Sequence, residues 1–173
     1  RLGRKCAVHA GIEPGLSMAI EAGCDTIEHG SFLTLEQAKK MQEKGLVWVP
    51  TMVAYGWAYD KVKDEYYATG GKISDPVLAN GMGRFKYFEE ATFAYRDNFK
   101  KLYDTGVMIC AGTDQVMPGS PAAPVALELG YMVKYGITPL EAIEIGTKNG
   151  AEVLDLADQI GQVLAQKWTL ATA

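Results

Sequence analysis

A chain of 173 residues, 48% of them hydrophobic and 22% charged, sets 17 Lys and Arg against 21 Asp and Glu for a formal net charge of −4. This is ordinary globular chemistry: it excludes disordered, collagen-like and coiled-coil sequences, and the length suits one domain with one sizeable core. The only dense basic cluster, Arg1, Arg4 and Lys5, is too small for a nucleic-acid-binding face, and the apolar runs fall far short of the roughly 20 residues of a membrane span.

The three cysteines, Cys6, Cys24 and Cys110, are odd in number and widely spaced, and they read as buried free thiols in a reducing compartment. With no signal-peptide pattern, the expected location is the cytoplasm. The chain opens on Arg1 and runs almost at once into a strand pattern, so it reads as a piece of something longer.

In chain order, short β-like runs alternate with helical patterns, the signature of βα units around a parallel sheet. The first run is Cys6 to Val8, followed by a helix over about Gly15 to Ala22 that Gly23 stops, and the second is Thr26 and Ile27. Thr34 with Gln37 three residues on forms a capping box for the next helix, and Gly45 closes it. The third run, Leu46 to Val49, is continuously apolar, as expected of a strand covered on both faces. From Val53 to about Arg84 the regularity lapses into a Tyr-, Trp-, Gly- and Lys-rich stretch, read as a partly helical excursion over a site.

A helix returns over about Phe85 to Thr105, where Phe88, Thr92, Tyr95, Phe99 and Leu102 make one apolar stripe. The fourth run is Val107 to Ala111. Beyond it come Gly112, Thr113, Asp114 and a Pro-, Gly- and Ser-rich loop, then helices over about Val125 to Tyr135, Pro139 to Thr147 and Ala151 to Leu156. Thr138, Pro139 and Glu141 mark the start of the second of these. Four βα units are half of a (β/α)₈ barrel, or else a small open sheet with helices on both faces.

The chemistry collects at strand ends. Run one ends in His9, run two in His29, run three in Thr51 and run four in Asp114, and the chain has only two histidines. In parallel α/β folds those ends converge on one rim, and two imidazoles with a carboxylate are a donor set that suits Zn²⁺ or a related divalent ion. Each residue also has a plainer reading: a histidine bonding a loop start, or an aspartate serving its own turn. Alternation along the strand sets Glu28 on the side opposite His29 and outside the site. Cys110 reads as core, and Tyr55, Trp57, Tyr59, Tyr66 and Tyr67 either line a pocket or pin the long excursion.

The segment CAVHAGIEPGLSMAIEAGCDTIEHG, at 6–30, resembles strands 5 and 6 of the metal-dependent amidohydrolase superfamily, in its imidazolonepropionase, Xaa-Pro dipeptidase and arginine carboxypeptidase-like branch. WVPT at 48–51 is similar to strand 7, VMICAGTD at 107–114 to strand 8, and GITPLEAIEIGTKNGAEVLDL to the helices that follow. The resemblance implies that residues 1–173 form a single partial catalytic domain, the C-terminal half of a TIM-type (β/α)₈ barrel of about four parallel βα units with extra C-terminal helices. It implies His9, His29 and Asp114 as metal ligands, with Asp114 also the catalytic proton shuttle. The implied activity is hydrolysis of amide or peptide-like C–N bonds by metal-activated water, with zinc or another divalent metal, binuclear in the complete enzyme, and a small peptide or N-acyl amino acid as substrate. The family's strand 1 His-x-His and strand 4 lysine have no counterpart here, so the expected partner is the missing N-terminal half-barrel or a second copy of the chain. The alternative is a non-catalytic half-barrel that self-associates.

Overall fold

The computed structural model describes residues 3–81, 83, 85–114 and 124–162. The Pro-, Gly- and Ser-rich loop after Asp114 and the segment beyond 162 lie outside them. Four parallel strands, β1 (Ala7–Ala10), β2 (Thr26–His29), β3 (Val47–Val49) and β4 (Met108–Ile109), form one sheet in sequence order. Between β1 and β2 lies α1 (Gly15–Ala22), and α2 (Leu35–Lys44) joins β2 to β3. The helices end where left-handed glycines permit: Gly23 and Gly45 adopt φ of 69° and 66° and turn the chain back into the next strand. Thr34 and Gln37 form the full capping box at the start of α2, as do Thr138 and Glu141 at the start of α7 (Pro139–Glu144).

The excursion after β3 is more regular than its composition suggests. It is a helix, α3 (Met52–Ala68), a short helix α4 (Pro76–Gly81), and then α5 (Phe85–Tyr103), which packs back along α3. Tyr59, Tyr66 and Phe85 lie between the two long helices, so most of the aromatics join helix to helix. The stripe of α5 buries Thr92, Tyr95, Phe99 and Leu102 as spaced. After β4, α6 (Pro124–Lys134) leads to α7 and to a π-helical turn over Ile145–Asn149, which runs without a break into α8 (Gly150–Val153). The two helices expected at 139–147 and 151–156 are thus one continuous helical run. It is anchored where the Asn149 side-chain amide donates to the Ile109 carbonyl at the end of β4.

The register decides which strand residues share a face. Val8, Ile27, Trp48 and Ile109 are consecutive partners and point toward the helices, where Ile27 and Trp48 are fully buried. On the other face His9 stands beside Glu28 and Glu28 beside Val49. Helix α8 closes the lower end of that face. Lys5 bonds the Val153 carbonyl and pairs with Asp155 at 2.9 Å, and the space between, about 270 Å³, is lined by Asp25, Thr26, Val47 and Met108 with Glu152 and Val153.

Two expectations are corrected here. None of the three thiols is fully buried: Cys6 is exposed, and Cys24 and Cys110 are half-buried. Cys110 follows β4 beside Gly150, the first residue of α8, and near Glu28, where burial and then the carboxylate's charge raise its pKa.

Candidate metal centre at the strand ends

Among the described residues, three of the four non-glycine positions with left-handed backbone stand where a strand leaves the sheet: His29 (φ 70°), Thr51 (φ 52°) and Asp114 (φ 47°). Such conformations cost on the order of 1–3 kcal/mol each and gather at functional sites. At His29 the reversal breaks the alternation of β2 and swings the imidazole to the rim.

The side chains meet there. The rings of His9 and His29 lie with centroids 4.4 Å apart, near perpendicular at 72°. His29 Nε2 is 3.9 Å from Asp114 Oδ2, and His29 Nδ1 is 2.6 Å from Thr51 Oγ1. Tyr55 closes one side, edge-on to His29 at 5.7 Å. His29 is buried, and burial lowers its pKa, reinforced by His9 and opposed by Asp114, which favours the neutral imidazole.

A frame behind the rim holds this geometry. The His29 carbonyl accepts from Trp48 Nε1 at 2.7 Å and from the Tyr95 hydroxyl at 3.0 Å. Tyr95 shares the same proton with the Pro50 carbonyl at 2.8 Å, and Ser31 Oγ lies 3.1 Å from its oxygen. Gly30, at φ 57°, is required where it stands, because a Cβ there would sit 2.6 Å from Trp48 Nε1. Gly112 plays the same part after β4, with Val49 Cγ1 2.5 Å from where its Cβ would be.

Two acidic residues outside the predicted site have definite partners. Glu28 is the register partner of His9, and its carboxylate accepts from Thr26 Oγ1. Glu128 of α6 is wholly buried and accepts from the Met52 and Val53 amides, at 2.9 and 2.7 Å. Those are the first donors of α3, which Thr51, left-handed at φ 52° where a capping residue is usually extended, leaves without a side-chain cap. Burial lifts the Glu128 carboxyl to about 8, while the two amides pull it down. A lone carboxylate in the apolar run of 125–133 was the signal available in the sequence.

A model of the amidohydrolase family matches residues 1–167. The chain belongs to the amidohydrolase family. Among its relatives is ochratoxinase of Aspergillus niger, 33% identical over 154 residues that make up 86% of this chain and 28% of the relative. The crystal structure of that ochratoxinase superposes with a TM-score of 0.64 at 28% identity, over 91% of this chain and 30% of the other. A Xaa-Pro dipeptidase, solved with methionine in its active site, superposes with a TM-score of 0.71 at 32% identity, over 92% of this chain and 36% of the other. The chain spans about a third of the length of these relatives, so its four strands are part of an amidohydrolase (β/α)₈ barrel.

Amidohydrolases generally use divalent metals, and the donor set fits one in part. With bonds of about 2.0–2.1 Å, two ligands of a tetrahedral zinc lie roughly 3.3 Å apart. The 3.9 Å between His29 Nε2 and Asp114 Oδ2 is slightly wider, and among the described residues no three His, Cys, Asp or Glu side chains already close on one point. The Thr51 contact suits either state of the ring. With Nδ1–H donating to Thr51 Oγ1, the Nε2 lone pair is free to ligate; with the hydroxyl donating to Nδ1, Nε2–H faces Asp114.

Proposed function

We propose that this chain contributes one side of a metal-dependent hydrolytic site for amide or peptide-like C–N bonds, with small dipeptides or N-acyl amino acids as the substrate class. The observation that carries the reading is the convergence of His9, His29 and Asp114 at one rim, with Asp114 Oδ2 3.9 Å from His29 Nε2. His9 and His29 are the nitrogen donors that would hold zinc or a related divalent ion, with Asp114 as the oxygen donor. When bound, such an ion supplies Lewis acidity and brings the pKa of a water on it to about 7.

The rest belongs to the chain. Thr51 fixes the plane of the His29 ring, and the Trp48–Tyr95 frame fixes its backbone. The Asp114 side chain, 58% exposed, is open to the substrate side. Its carboxylate takes a proton from the attacking water and returns it to the leaving nitrogen, so the acyl carbon gains a hydroxyl and the amine departs neutral. Tyr55 walls the site against bulk water on one flank.

The relatives' names support an amide or peptide substrate: one is a Xaa-Pro dipeptidase. The test uses the complete enzyme that contains this chain. His9→Ala and His29→Ala should each lower bound metal, measured by elemental mass spectrometry, whereas Asp114→Asn should leave the fold intact and cut kcat for dipeptide hydrolysis by about 10² or more. Full turnover in Asp114→Asn removes it from the proton path. A second reading, an assembly module that self-associates, is favoured by one observation: among the described residues, β1 and β4 each have a strand neighbour on one side only.

A further inference from the structure

The excursion between β3 and β4 leaves a cleft where the last turns of α3, the short helix α4 and the first turn of α5 come together. Among the described residues it is lined by Tyr66, Ile73, Ala79, Phe85, Lys86 and Tyr87, and it holds about 480 Å³, within the roughly 300–1,000 Å³ of small-molecule sites. The cation of that lining is already engaged. Lys86 Nζ donates to Glu89 Oε2 at 2.8 Å and to the Tyr67 hydroxyl at 2.9 Å, and Glu89 also accepts from Tyr59 at 3.3 Å. What the cleft offers a ligand is chiefly ring surface, with Tyr66 and Phe85 stacked at 3.6 Å and 12°. Tyr87 joins it to the rim. Two ring contacts lead from His29 to Tyr87, through Tyr55, at 5.7 and 5.9 Å, and Phe32, three residues past His29, meets Tyr87 at 5.8 Å. The Tyr87 hydroxyl stands over Gly11, two residues past His9, where a Cβ would come within 2.6 Å of it. The bare backbone at Gly11 lets a residue of α5 reach in beside the turns that follow both histidines.

We propose that this cleft is a subsite for an uncharged aromatic side group of the substrate, reached from the rim past Tyr87, an inference that rests on the hydrolytic reading above. A ring entering the cleft meets Tyr87 on the rim side and the Tyr66–Phe85 stack beyond it, where offset and edge-on contacts between aromatic rings are favourable. A methyl side chain is too short to reach them. A carboxylate-bearing side chain would give up water for a lysine whose donors already serve Glu89 and Tyr67. Tyr87 is therefore a specificity-determining residue: it touches the ring ladder that begins at His29, and it forms the near wall of the cleft.

The test uses the complete enzyme and two readouts. N-acetyl-tryptophanamide, a neutral aromatic probe, should bind the parent in an NMR titration, and Ala79→Trp, which fills the cleft away from the rim, should weaken that binding about tenfold or more. In kinetics, the ratio of kcat/KM for a Phe-containing dipeptide, Phe-Ala or Ala-Phe, to that for Ala-Ala should exceed one in the parent and fall about tenfold in Ala79→Trp. Where Ala79→Trp does not fold, judged by its melting curve, Ala79→Leu reads both quantities with a smaller fall in the same direction. No binding of the probe to the parent, equal probe affinity in parent and variants, or a selectivity ratio that the variants leave unchanged would each overturn the subsite. A parent that hydrolyses no dipeptide would overturn the hydrolytic reading instead, and the probe titration would still decide whether the cleft takes an aromatic group.

Discussion

The His29 carbonyl accepts two side-chain hydrogen bonds, and the donors come from β3 and α5, not from its own strand. A left-handed residue without glycine's freedom needs such fixing, and Tyr95 supplies it for His29 and Pro50 together. Tyr95→Phe leaves buried acceptors short of a donor and should lower stability by about 1–3 kcal/mol in urea denaturation. An unchanged midpoint would mean the frame is not what holds the reversal. Thr51 acts on the imidazole itself. Thr51→Val keeps the shape and removes the hydroxyl, so, on the proposed reading, apparent zinc affinity of the complete enzyme should fall about 10- to 100-fold in a chelator competition while the fold persists. Equal affinity in the two proteins would mean that ring orientation comes from packing alone.

At the scale of elements, α3 borrows its N-terminal cap from α6, and the loan couples the two helices to pH. Gly56 lets them approach, since a Cβ there would lie 3.1 Å from the Tyr131 ring, and Glu128 then reaches the first amides of α3. With its folded pKa raised to about 8 from an ordinary value near 4.5, Glu128 binds its proton more tightly in the folded chain than in the unfolded one. Its contribution is therefore fully present below about pH 4.5 and is lost as pH rises through 8. Glu128→Gln cannot titrate and forfeits one amide acceptor. It should be less stable than the parent at pH 5, and the gap should narrow by on the order of a few kcal/mol by pH 8. A gap independent of pH would mean that the two amides keep the carboxylate ionised throughout. The capping boxes, by contrast, are self-contained, with each Thr and its partner three residues on satisfying one another without help from elsewhere.

At the scale of the whole molecule, a sheet with β1 and β4 each paired on one side presents two lines of strand groups to whatever lies alongside. In the related barrels those edges are covered by further strands. The isolated chain should therefore associate, and sedimentation at rising concentration should show a monomer giving way to dimers or larger species. A well-folded monomer at every concentration would argue that α8, held over the inner face by Lys5, is cover enough. The same experiment separates the assembly reading from the hydrolytic one, because only the latter predicts bound metal.

What the sequence determined by itself is local or periodic. The order of strands and helices, the two capping boxes, the stop glycines and the placing of His9, His29 and Asp114 at strand ends all depend on residues within a few positions of one another, where spacing is geometry. The tertiary structure alone decided what depends on partners far along the chain. Alternation within β2 could not reveal that Glu28 stands beside His9, because register is a relation between strands. Composition hid α3, because its buried face is matched to α5 and α6 and does not form a simple stripe of its own. Glu128 became a cap only once residues more than 70 positions apart were packed together in a place that excludes water, and Thr51 met His29 only across the 22 positions that separate two strand ends.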